Sequence, residues 1–98
     1  MALRWSIVMR DRGGSPVKKA MALGYDRGGD AAPRVLAKGG GDVAQNILDL
    51  ASQHSIPIER DPDLLQCLQP LANGAEIPIA AYEAVARILA FLYQKNRA

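Results

Sequence analysis

The chain has little with which to do side-chain chemistry: one cysteine, one histidine, one tryptophan and one phenylalanine in 98 residues. A single cysteine, Cys67, excludes an internal disulfide, so nothing here calls for an oxidising compartment. Its position between Leu64 and Leu68 points to a buried packing role. The lone His54 has no second histidine or cysteine at metal-ligand spacing, which argues against a metal site and against catalysis. Placed at the end of a helix, it suits the negative pole of the dipole instead. No apolar run approaches the roughly 18 to 20 residues that a membrane span needs. The greasiest stretch, Ala84 to Tyr93, is interrupted by Arg87. The start, Met1 to Arg10, is too short and too charged for a signal peptide. These absences imply a cytoplasmic protein that needs no metal and no cofactor.

What is present fits one domain, with 49% apolar residues and a formal charge of +2. The charge is unevenly spread. Residues 1–19 hold five cations, Arg4, Arg10, Arg12, Lys18 and Lys19, against the single acid Asp11. The rest of the chain is mildly acidic. Arg12-Gly13-Gly14-Ser15-Pro16 is a run of breakers, so residues 1–15 read as a flexible or loosely docked basic leader and residues 16–98 as the domain. Trp5 is the leader's one large anchor. It suits a staple onto the domain, a partner-binding segment or an expression remnant equally well.

Apolar residues on both parities predict a largely buried strand from Lys18 to Tyr25. The Gly, Asp and Pro content of Asp26 to Pro33 predicts a loop, and Arg34 to Lys38 a second strand in a long-looped hairpin. Gly39-Gly40-Gly41 reads as a turn, with Asp42 as N-cap of a helix to His54 whose core stripe is Ala44, Ile47, Leu48 and Ala51. Ile56 to Glu59 is a third short strand. Asp61-Pro62 supplies an N-cap and an N1 proline for a second helix to Leu71, with Leu64, Leu65, Leu68 and Leu71 inward. A third helix runs from Ile79 to Lys95, with Ala81, Val85, Ile88, Leu89 and Leu92 facing the core and Glu83 and Arg87 paired on the wet side. This order predicts an α/β fold in which a small mixed sheet is covered by helices.

Strand, Lys38-Gly39-Gly40-Gly41, helix is the general layout of an anion-binding loop. The detail is wrong, because a phosphate loop carries its lysine after the glycines and Asp42 would repel an anion. Arg12-Gly13-Gly14 and Arg27-Gly28-Gly29 suggest RNA-binding tails, but no stacking aromatics accompany them. A nucleic-acid or anion-binding module is therefore the weaker alternative.

Several blocks occur in a telling order: Ser15-Pro16-Val17-Lys18, Ala20 to Asp26, Ala32-Pro33-Arg34-Val35-Leu36-Ala37-Lys38-Gly39, Gly41-Asp42-Val43-Ala44, Ile56-Pro57-Ile58, Glu76-Ile77-Pro78, and Tyr82 to Tyr93. Together they resemble the cytoplasmic domain of the FlhB/YscU family, the substrate-switching components of flagellar and injectisome type III export. The resemblance implies the fold of that domain and a free-standing copy of it without the membrane region. It also implies partners: an export-gate protein, a length-control ruler and export substrates, met at the inner face of the membrane.

In that family an Asn-Pro-Thr-His motif cleaves itself, the Asn side-chain nitrogen attacking its own carbonyl to close a succinimide. Here Ser15-Pro16-Val17-Lys18 stands in its place. A Ser hydroxyl attacking its own carbonyl would have to close a strained four-membered ring, so that route is shut. An acyl shift from the Gly14 carbonyl to Ser15 is the remaining self-processing alternative, and no base lies near it in sequence. The resemblance thus implies a non-cleaving, non-enzymatic binding protein. Its interaction surface is expected at Ser15, Pro16, Val17 and Lys18 and at the adjoining loop Ala32, Pro33 and Arg34.

Overall fold

The computed structural model describes residues 4–12, 18–26 and 32–96, with side chains from residue 5 through residue 88. Its elements are β1 (Arg4–Arg10), β2 (Lys19–Asp26), β3 (Arg34–Gly40), α1 (Gly41–Gln53), β4 (Ile58–Arg60), α2 (Pro62–Leu68) and α3 (Ile79–Asn96). The sheet runs β3-β2-β1-β4. β1 is antiparallel to β2 along its whole length and parallel to β4, so the sheet is mixed. A bulge between Ala22 and Leu23 interrupts the β2–β3 pairing.

Both faces of the sheet are covered, which is why β2 is apolar at both parities. On one face Ile7, Met9, Met21, Leu23 and Val35 pack against Leu64, Leu65 and Leu68 of α2 and Val85 of α3. On the other, Val8 and Ala20 pack against Ala44, Ile47, Leu48 and Ala51 of α1. The small side chains Ala20, Ala22, Ala37, Ala44 and Ala51 let α1 lie close to the strands.

The loose leader is corrected over Arg4–Arg10. This segment is β1, an inner strand of the sheet, and Ile7 and Met9 are 0% exposed. Burying each of these side chains is worth about 1.5–3 kcal/mol. Trp5 is the staple among the three readings. It stands opposite Tyr25 in register, with ring centroids 6.0 Å apart and tilted by 35°, and it packs on the α2/α3 core.

Asp42 is not an N-cap. Gly39 and Gly40 belong to β3, Gly40 takes the cap position without a side-chain bond, and Asp42 lies in the first turn of α1. Gly41, at φ +56°, makes the reversal from strand to helix that a residue with a Cβ resists. The third strand starts later than expected, at Ile58. Ile56 closes α1: its N–H donates to the Ala51 carbonyl, and that of Ser55 to Ser52. With Ser55 at φ +56°, this is a Schellman closure that withholds Ile56 from the ladder. His54 is the C-cap residue and is exposed.

α2 opens as expected, with the Leu64 N–H donating to Asp61 Oδ1 at 3.0 Å and proline at N1. It ends at Leu68, three residues early. Pro70 has no N–H to continue the helix, and the chain tightens into the contacts Gln69 to Gln66 and Leu71 to Leu68. Cys67 is exposed, a correction to its expected burial. The inward stripe is Leu64, Leu65 and Leu68, which turns Cys67 off the sheet. In α3, Val85 is buried and Ala81 and Ile88 pack beside it, while Glu83 and Arg87 are exposed. The side chains of Leu89 and Leu92 lie outside the described residues.

Candidate functional site

Of the residues singled out from sequence, Lys18, Ala32, Pro33 and Arg34 are described, and Ser15, Pro16 and Val17 lie outside the described residues. Lys18 enters β2. Its N–H donates to Asp11 Oδ2 at 2.9 Å and its carbonyl accepts from the Gly41 N–H at 3.1 Å. The Asp11 N–H donates to the Lys19 carbonyl at 3.1 Å. Asp11 therefore ties the neck of the β1–β2 connection, while the side chains of Lys18 and Lys19 remain exposed.

The second group is held differently. Pro33 is buried and its carbonyl accepts from the Ile77 N–H at 2.9 Å. Val35 exchanges backbone bonds with Gly74 and Ala75, so residues 74–77 line the edge of β3. Arg34 Nη1 donates to the Gly74 carbonyl at 2.8 Å, and Nη2 lies 3.9 Å from Glu76 Oε1. Both side chains are well exposed, so this ion pair orders the loop more than it stabilises the fold. Ala32 is half-buried beside them.

The two groups do not adjoin. Lys19 pairs with Gly40 and Gly24 with Arg34, so Lys18 and Arg34 stand at opposite ends of β2. At ~3.4 Å per residue the separation is about 17 Å or more. One compact patch cannot contain both.

Three features escaped sequence reasoning. Asp11 counted only as the one acid in a basic segment. Glu76 reads in the sequence only as part of a block, without its link to Arg34. An apolar groove of about 260 Å³ opens between α2 and α3, lined by Leu64, Cys67, Leu68, Pro78 and Ala80 among others. The exposed Ile79 and Pro78 beside it were the available signal. Lys38 donates to the Gln69 carbonyl at the end of α2, which does not favour a phosphate-loop role. Among the described residues no group of His, Cys, Asp and Glu has the proximity to hold a metal ion, and no helix is long and apolar enough to cross a membrane.

A mixed four-stranded sheet with one helix on one face and two on the other is the cytoplasmic-domain fold of type III export components. The crystal structure of the cytoplasmic domain of FlhB from Shewanella putrefaciens superposes with a TM-score of 0.77 at 32% identity, covering 92% of this chain and 72% of that one. Residues 14–92 match the model of the FlhB HrpN YscU SpaS family, and the chain belongs to that family. It is 44% identical over 80 residues to the uncharacterized protein YlqH of Bacillus subtilis, covering 82% of this chain and 86% of that protein. It is 42% identical over 84 residues to the flagellar biosynthetic protein FlhB of Aquifex aeolicus, of which it spans 24%. Against FlhB, then, the chain corresponds to about a quarter of a longer protein.

Proposed function

We propose that this chain is a non-enzymatic binding component or regulator of a type III export apparatus, flagellar by the weight of its named relatives. It would act on the cytoplasmic side, at the inner face of the membrane with that apparatus. It would exchange contacts with the export-gate protein, the length-control ruler or export substrates, in place of the switching domain or alongside it.

One observation carries the reading. Residues 14–92 match the family, yet the connection between β1 and β2 reads Ser15-Pro16-Val17-Lys18 and has no asparagine before the proline. What is left to such a domain is binding. The Lys18 end and the Ala32, Pro33 and Arg34 end are then separate contact regions, because β2 holds them apart.

The test has two parts. Intact-mass measurement of the purified chain is expected to give one species, and a fragment beginning at Ser15 or Pro16 would restore the self-processing reading. Pull-down with export-gate and ruler proteins is expected to recover at least one of them and to weaken on changing Pro16 or Pro33. No recovery with any export component would remove the role.

A further inference from the structure

The fold gathers cations at one end of the sheet. β1 finishes at Arg10 with Asp11 and Arg12 beyond it, β2 begins from Lys18 and Lys19, and β4 ends at Arg60, which is the register partner of Arg10. The bonds from Asp11 to Lys19 and from Asp61 to Arg10 hold these three segment ends side by side. Neighbouring strands are about 4.8 Å apart, so Arg12, Lys18, Lys19 and Arg60 form a narrow strip along one rim of the sheet, the consecutive Lys18 and Lys19 having the parity of its opposite faces.

All four are exposed, and among the described residues none has a carboxylate within ion-pair distance. Other cations are employed inside the fold: Lys38 on the Gln69 carbonyl, and Arg34 on Gly74 and Glu76. The acids nearest the strip are mostly committed or set to the side. Asp11 takes the Lys18 N–H and Asp61 takes the Leu64 N–H. Asp42 and Asp63 sit in the first turns of α1 and α2, where the helix amides favour them, and Glu59 is half-buried on β4.

We propose that this strip, Arg12, Lys18, Lys19 and Arg60, docks a short acidic segment of a partner protein. The inference rests on the binding role above and gives that role a chemistry at the β1–β2 end. The flanking acids set the class of partner. A broad anionic plane or a polyphosphate chain laid across this end would meet Asp42 and Asp63 as well as the cations. A run of a few Glu or Asp side chains fits between them. Charge placed this way steers encounter and rejects the wrong partner more than it adds raw affinity.

The test is titration of the full chain with a Glu- and Asp-rich peptide of about twelve residues, followed by NMR shifts or anisotropy at 50 and 200 mM salt. Binding is expected at low salt, weakening severalfold at the higher. Combined reversal of Arg12, Lys18 and Lys19 to Glu is expected to weaken it at least about tenfold, with Arg60→Glu giving a smaller loss. Reversal of Arg87, exposed on α3, is expected to leave it unchanged, and thermal denaturation verifies that each variant is folded. Equal affinity in the triple variant and the wild type would overturn the proposal. So would binding to anionic phosphatidylglycerol vesicles or to a single-stranded RNA oligomer with none to the peptide. Peptide binding without recovery of any export component would separate this inference from the export role.

Discussion

A methyl group on Gly39 would lie 2.3 Å from Cγ1 of Val43, so the end of β3 and the first turn of α1 meet with no room for a side chain. Val43 Cβ is itself 2.8 Å from that position, and turning the valine about χ1 does not remove the conflict. Gly39→Ala is expected to cost about 1–3 kcal/mol, the usual range for overpacking. Urea denaturation reads this as a lower midpoint at constant slope. Val43→Ala in the same chain is expected to recover part of the loss, and independent, additive effects would show that the contact is slack.

β1 makes its own prediction. Ile7 is fully buried at the centre of the sheet, and Ile7→Ala is expected to cost about 2–5 kcal/mol, the range for a large-to-small change in a core. A loosely docked segment would show almost no effect. Equilibrium unfolding of this one variant therefore distinguishes an inner strand from an appendage.

Ser55 holds φ +56° where α1 closes, a conformation that costs an L-residue about 1–2 kcal/mol. Part of that gain is offset by the greater freedom of glycine in the unfolded chain. Ser55→Gly is expected to raise stability by up to about 1 kcal/mol, seen as a rise in melting temperature. Ser55→Ala is expected to give no such rise.

Asp61 accepts the Leu64 N–H at the start of α2. Asp61→Ala is expected to cost about 1 kcal/mol, and Asp61→Asn much less, because asparagine retains the acceptor. Equal losses in the two variants, measured by thermal unfolding, would mean that the charge and not the cap matters.

Local signals in the sequence foretold local structure. Asp61-Pro62 announces α2 through a side chain and a ring acting within three residues. The doubly apolar pattern of β2 announces a strand covered on both faces. β1 was hidden because its evidence is distant: Val8 is held by Ile58, far along the chain, and the basic residues around it read as a solvated tail. Cys67 reads as buried but is exposed, because helical spacing from Leu64 does not say which edge of the apolar stripe faces the sheet. The sequence names candidate site residues but not how they are arranged. Lys18 and Arg34 flank one strand, and only its antiparallel pairing with β3 puts them at opposite ends.

If both proposed contact regions are used, β2 is a spacer of fixed length between them. A partner segment crossing about 17 Å needs at least about five extended residues between the groups it offers to each end. A partner with a shorter gap engages one end at a time and gains nothing from the other. A partner with a matching gap turns its second contact into an intramolecular event, raising avidity without any new interaction. The distance between two weak motifs in a partner, more than the strength of either, would then decide which proteins this domain holds.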